Sequence, residues 1–232
     1  MKVLVIQNCK TEGIGFYEDY LIEHKIPYDI FSAYLNQELP PPSIYDFFII
    51  GGTPISVYEI NQRSFLSRQR KYLEQVILSN KFCLGICFGG QLLANILGAE
   101  VRKNPVPEIG IYEVKLTLSG KKDPCVAGFP SRFSVFHWHG DTFDLSPGAE
   151  LLVSGKYCLN QAFRLKNVLG LQFHLEIGSK KAEKWADKYN QELRLVKKTK
   201  KQIVDECHLK ESEMKKLAFK LMDNLFTFLG QK

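Results

Sequence analysis

The sequence predicts an α/β protein: an open, mostly parallel central sheet flanked by helices, an additional region of antiparallel strands, and a C-terminal helical extension. Three observations predict it. Up to Ala99, short apolar runs alternate with segments of helical spacing, the rhythm of parallel strands joined by helical crossovers. After Ala99, strand-like runs follow one another at short intervals with no helix between them. From Ser179 onward the chain is charged and helical in spacing.

The elements follow in order. VLVIQ (3–7) is the first strand. Gly13 and Gly15 break the chain before FYEDYLIEH (16–24), which has helical spacing. YDIF (28–31) is the second strand, and LPPPS (39–43) is a loop because consecutive prolines fit no regular element. FFII (47–50) is a wholly apolar run ending in Gly51-Gly52. Residues 64–79 fit an amphipathic helix, KFCLGI (81–86) a strand, and GQLLANILG (90–98) a short apolar helix stopped by Gly98. IYEVKLTL (111–118) alternates as a half-exposed strand does, and SRFSVFHWH (131–139), ELLVSG (150–155), QAFRL (161–165) and NVLGLQFH (167–174) continue the series. KKLAFKLMDNLFTFL (215–229) carries an apolar stripe that docks on the body. With no internal repeat and no low-complexity linker, the chain reads as one domain over 1–232, its core ending near 190 and the helical extension occupying about 191–232.

Composition narrows the function classes. The 232 residues are 45 % apolar and 24 % charged, as in ordinary globular proteins. A chain of this size buries roughly 70–75 % of its unfolded surface without a disulfide or metal staple. No apolar run approaches the ~18–20 residues of a membrane span, and MKVLVIQNC reads as a first strand rather than a signal peptide. The six cysteines, at 9, 83, 87, 125, 158 and 207, form no CxxC pair and no zinc-finger spacing with histidine. No metal and no cofactor is expected, and free thiols suit a cytoplasmic, reducing location. The net charge of +6 includes KKTKK at 197–201, which lacks interleaved aromatics. It is expected to be a solvated face, with neither nucleic acid nor membrane as partner.

Chemistry enters at FCLGICFGGQ (82–91), where a strand-like run meets a helix-like one at Cys87, bracketed by Gly85 and Gly89. Gly-x-nucleophile-x-Gly is the shape of a nucleophile elbow. An abrupt strand-to-helix turn brings the backbones at −2 and +2 together, so side chains there would clash. The apex residue is strained and exposed at a helix N-terminus, where unpaired N–H groups favour a thiolate. The Phe88 N–H would face an anion developing on a substrate carbonyl. The same pattern also suits a buried structural cysteine in a tight turn. Cys83, mid-strand and without a glycine bracket, is read as structural.

A nucleophilic thiol needs a base, and the base an orienter. His24 and His208 are read as surface residues. His174 lies in LQFHLE at a strand end, with Glu176 two residues on. In an extended chain these two point to the same side, so the carboxylate would fix the tautomer of the imidazole and stabilise the imidazolium. His139 lies in HWHGDTF, read as a strand followed by a His-Gly-Asp turn. It would orient the base, bind substrate or cap the loop, while His137 is read as structural.

GICFGGQ (85–91), LQFHLE (171–176), HWHGDTF (137–143) and the Gly-Gly after FFII together resemble the class I, triad-type glutamine amidotransferases, and within them the stand-alone GMP-synthase-like proteins. The likeness runs from Met1 to about Glu176. It implies a flavodoxin-like fold and a catalytic set of Cys87, His174 and Glu176. Cys87 would attack the side-chain amide of glutamine to form a γ-glutamyl thioester. Gly52 and Phe88 would supply the oxyanion-hole N–H groups. Gln91 and the segment Trp138, His139, Gly140 and Asp141 would bind substrate. The chain departs from the family's Gly-Gly-Pro-x-Ser loop, reading GGTPIS with Thr53 interposed. It also carries no synthase domain, so released ammonia would need an acceptor on a partner chain. Two alternatives stand beside this reading: a γ-glutamyl peptidase using the same triad, and a non-catalytic redox-sensing or structural subunit using Cys87.

Overall fold

Strands buried on both faces read as unbroken apolar runs, and the first half of the chain is built that way. The computed structural model describes residues 1–230. β1 (Val3–Gln7) leads to α1 (Phe16–Glu23), β2 (Tyr28–Ser32), β3 (Phe47–Ile50), α2 (Ser64–Leu78), β4 (Phe82–Ile86) and α3 (Phe88–Ile96). Five strands follow: β5 (Val101–Leu116), β6 (Arg132–Phe143), β7 (Glu150–Ser154), β8 (Asn160–Leu165) and β9 (Val168–Leu171). The chain ends with α4 (Ser179–Lys188), a 3-10 segment (Asn190–Val196) and α5 (Lys200–Gly230).

All nine strands share one sheet in the order β2-β1-β3-β4-β9-β8-β7-β5-β6. β2, β1, β3, β4 and β9 pair in parallel, and the pairings from β9 out to β6 are antiparallel. The order reverses at β1, which puts a topological switch point between β1 and β3. Open α/β sheets bind ligands at the carboxyl ends of strands beside such a point.

Side-chain alternation assigns the two faces. Val3, Val5, Phe47 and Ile49 pack with Tyr17 and Leu21 of α1 and Met222 and Leu225 of α5. Leu4, Ile6, Phe48 and Ile50 pack with Leu66 and Leu73 of α2 and Leu92 and Leu93 of α3. The 31-residue α5 spans about 45 Å. Its buried positions Ile203, Cys207, Met214, Ala218, Leu221 and Leu225 form one stripe, and Phe226 meets Phe47 edge-on at 5.7 Å. The extension is therefore part of the main core. The basic stretch before and within it is ion-paired: Lys198 with Glu206 at 2.7 Å, Lys200 with Asp187 at 2.8 Å, and Lys201 with Asp205.

Three boundaries differ from the sequence expectation. β5 begins at Val101, not near 111, and runs through Pro105 and Pro107. Proline donates no ladder hydrogen bond, and these two fall where the β5–β6 register breaks, between Lys103 and Glu108. β6 continues to Phe143, so His139-Gly140-Asp141 is strand and not a turn: Arg102 and Lys103 pair with Thr142 and Asp141 beyond the break. β9 stops at Leu171, and His174 instead bridges to β6, its N–H donating to the Phe136 carbonyl (2.8 Å) and its carbonyl accepting from the Phe136 N–H (3.1 Å).

Candidate active site

Cys87 lies between β4 and α3 at φ 53°, ψ −110°, a left-handed conformation uncommon for a residue with a side chain. The elbow glycines explain why no other residues fit. A Cβ on Gly85 would stand 2.4 Å from the Gly89 carbonyl oxygen, and one on Gly89 would stand 2.1 Å from the Ile50 carbonyl oxygen of β3. The thiol is held at 3.8 Å from both the Trp138 carbonyl oxygen and the Gln172 side-chain amide. The first N–H groups of a helix have no partner within it, and Phe88 provides the first of α3.

The structure brings His174 and Glu176 beside this thiol. Nδ1 of His174 lies 2.6 Å from Oε1 of Glu176, and both side chains are buried. A carboxylate accepts, so Nδ1 carries the proton. Nε2 is buried and has no hydrogen-bond partner within normal reach. Burial pushes the His174 pKa down, but the Glu176 carboxylate and the Cys87 side chain outweigh it and raise it to about 10. Gly52 closes the group: its missing Cβ would stand 3.8 Å from both Cys87 Cβ and His174 Cε1.

The other expected residues line one cleft of about 220 Å³ with Cys87 and His174. Gln91 donates to the Asp141 carbonyl (3.2 Å) and to Gln172 (3.1 Å). Trp138 donates its indole N–H to Glu192 (2.8 Å). Gly140 lines the rim. The Asp141 carboxylate accepts from Ser56 Oγ (2.6 Å), tying β6 to the loop after β3. His139 lines the cleft, but its ring nitrogens turn to Glu108, His137 and the Asp141 carbonyl, away from the thiol. His24 and His208 are exposed, as expected. All six cysteines are free, and burial pushes the Cys83 thiol far up.

Several lining residues have no signal in any motif. Glu12, in the loop after β1, is buried and accepts from Tyr189 Oη at 2.8 Å. Burial raises its pKa, opposed by the Tyr189 hydrogen bond and by His174. Its Oε2 would stand 2.9 Å from a Cβ on Gly52. Its position after β1, beside the switch point, is the signal that could have found it. Trp185, Tyr189 and Glu192 arrive from α4 and the segment after it, at a distance along the chain that no local pattern spans. No lysine or arginine is among the residues lining the cleft, within the described residues.

Comparison with known proteins gives the family. The family description "Glutamine amidotransferase class-I" matches residues 18–188. The chain is 30 % identical to the glutamine amidotransferase-like protein YfeJ of Salmonella typhimurium, over 83 % of each chain. It is also 30 % identical to a glutamine-hydrolyzing GMP synthase subunit from Sulfurisphaera tokodaii, over 76 % of this chain and 90 % of that one. A glutamine amidotransferase crystal structure from Thermotoga maritima superposes with a TM-score of 0.90 at 30 % identity, covering 97 % of both chains. A match over most of the sequence, together with a shared fold, makes this chain a member of the class-I glutamine amidotransferases.

Proposed function

We propose that the cleft hydrolyses the side-chain amide of glutamine through a γ-glutamyl thioester on Cys87, and that a partner chain accepts the ammonia. The observation that carries this reading is the His174–Glu176 hydrogen bond of 2.6 Å, which leaves Nε2 the only ring nitrogen free to serve the thiol. A redox-sensing cysteine needs no such oriented base.

The steps follow from the donors and acceptors present. Cys87 passes its proton to His174 Nε2, and the sulfur adds to the amide carbon. The N–H groups of Gly52 and Phe88 receive the negative oxygen of the tetrahedral intermediate. His174 returns the proton to the amide nitrogen, the C–N bond breaks, and ammonia departs. Water then loses a proton to His174 and adds to the thioester, and glutamate leaves as the sulfur is released. Glu176 holds one tautomer throughout.

The same triad would serve a γ-glutamyl peptidase, and the lining favours glutamine over that alternative. A peptide leaving group brings a second carboxylate, and Glu12, Asp141 and Glu192 line a cleft to which no lysine or arginine contributes among the described residues. Its volume of about 220 Å³ lies below the ~300–1,000 Å³ of sites for drug-sized ligands, in keeping with a single amino acid. The test is ammonia release from free glutamine beside cleavage of γ-glutamyl dipeptides, with an electrophilic glutamine analogue added and the labelled residue read by mass spectrometry. Ammonia release and a label on Cys87 support the reading. Dipeptide cleavage without ammonia release from glutamine, or a label elsewhere, overturns it.

A further inference from the structure

Behind the cleft wall, three buried side chains turn ligand atoms toward one another. Nε2 of His139 lies 3.1 Å from Oε2 of Glu108 and 3.1 Å from Nδ1 of His137, and that Nδ1 lies 3.7 Å from the same carboxylate oxygen. All three residues are almost wholly inaccessible, at 1 % for Glu108, 0 % for His137 and 6 % for His139. We infer that Glu108, His137 and His139 form a binding site for a divalent transition metal, zinc being the best fit, that pins β5 to β6 behind the candidate active site.

The hydrogen-bond assignments point to a cation at this place. Nδ1 of His139 lies 2.9 Å from the Asp141 carbonyl oxygen. A carbonyl only accepts, so Nδ1 carries the proton and a neutral His139 presents a lone pair at Nε2. That lone pair lies within reach of His137 Nδ1 at 3.1 Å and also confronts a carboxylate oxygen at 3.1 Å, a contact that is repulsive unless a second ring proton or a metal ion lies between them. A ligating histidine whose other nitrogen donates to a backbone carbonyl is the usual outer arrangement of a metal site. Glu108 has no lysine or arginine partner among its ion pairs in the described residues. A buried carboxylate without a compensating charge is costly.

The separations carry the choice of metal. Zinc takes nitrogen and oxygen ligands at about 2.0–2.2 Å in a tetrahedron, so its ligand atoms stand about 3.3–3.5 Å apart. The observed 3.1, 3.1 and 3.7 Å bracket that edge. Two imidazoles and one carboxylate are a zinc or iron donor set rather than a calcium one. The Gln161 side-chain amide orients the carboxylate, its Nε2 donating to Glu108 Oε2 at 2.9 Å, and its Oε1 is buried without a partner. His137 Nε2 lacks a partner whichever nitrogen holds the proton, and does not bear on the choice.

The location gives the site a purpose. β5 and β6 lose register between Lys103 and Glu108, and the ladder resumes at the Glu108–His139 pair. A metal there would fix the β6 backbone that presents Trp138, Gly140 and Asp141 to the cleft. The role is positional: none of the three ligands reaches the Cys87 thiol.

The experiment uses the full chain carrying Cys87→Ala, so that the active-site thiol takes no metal. After chelator treatment it is titrated with Zn²⁺ and, separately, with Co²⁺. Expected are one equivalent of saturable zinc, a rise in Tm on zinc addition, and a tetrahedral Co²⁺ spectrum without sulfur charge transfer. Adding His137→Ala or Glu108→Gln is expected to weaken zinc binding by more than about a hundredfold, since loss of an outer partner alone costs about 10–100-fold. Absence of saturable zinc binding, a sulfur-ligated Co²⁺ spectrum, or zinc binding unchanged in both variants overturns the inference. If both variants fail to fold, the stoichiometry and Co²⁺ spectrum of the parent decide it alone.

Discussion

Glu176 Oε1 and His174 Nδ1 meet at 2.6 Å although neither residue lies in a continuous strand. The chain leaves β9 at Leu171 and is held extended by two backbone hydrogen bonds between His174 and Phe136. Residues i and i+2 of an extended segment face one way, so the bridge to β6 turns a two-residue spacing into an oriented imidazole.

Replacing Glu176 by Gln should lower kcat by roughly 10²–10⁴-fold without abolishing activity, as when other triads lose the carboxylate that fixes their tautomer. Steady-state ammonia release checks this. An unchanged rate would show that another group orients His174.

Cys87→Ala should reduce turnover by at least about 10⁴-fold, while a small-for-small exchange keeps stability within about 1.5 kcal/mol. Glutaminase rate and urea unfolding are the two measurements. Retained turnover in this variant would exclude a covalent intermediate on that sulfur.

The pH dependence of stability follows from the sign of the His174 shift. Burial lowers its pKa, but Glu176 and Cys87 raise it from 6.5 to about 10. A group bound more tightly to its proton when folded stabilises the fold fully below its unfolded pKa and loses that contribution as pH rises through the folded value. The groups acting on the ring are Glu176 and Cys87, with Glu12 and His137 nearby in the same field. Stability should therefore fall between about pH 6.5 and 10, and fall less in His174→Gln. Urea midpoints across that interval measure it, and identical slopes in the two proteins would contradict it.

Gly85→Ala should cost about 1–3 kcal/mol or more, because its Cβ would stand 2.4 Å from a backbone oxygen that cannot move without displacing α3. Activity should fall with it, since that displacement carries Cys87. Thermal unfolding with a parallel glutaminase assay checks both. A neutral substitution would mean that the turn relaxes.

A γ-glutamyl dipeptide ending in an acidic residue should be cleaved with kcat/KM at least about tenfold below that of glutamine hydrolysis, because like charges brought together cost several kcal/mol. Comparison with its C-terminal amide isolates the charge effect.

Legibility differs from element to element. The parallel half of the sheet is readable because β1, β3 and β4 are short apolar runs, ended by loop residues, by glycine and by the Cys87 elbow respectively, and such runs specify strands without knowledge of their neighbours. HWHGDTF reads as a turn because Gly140 and Asp141 carry turn chemistry locally, while pairing with Arg102 and Lys103 keeps the segment extended. β5 reads too short for the related reason that Pro105 and Pro107 look like breakers, yet they sit where the register is already broken.

By itself the sequence determined the α/β class, the elbow at Cys87 and the His174–Glu176 pair, because each rests on residues close along the chain whose geometry is set by local sterics. Only the tertiary structure decided that Glu12, Tyr189 and Glu192 line the cleft, and that Glu108 meets His137 and His139. Those meetings depend on sheet order and strand register, which arise from burial summed over the whole chain and leave no mark at any single position.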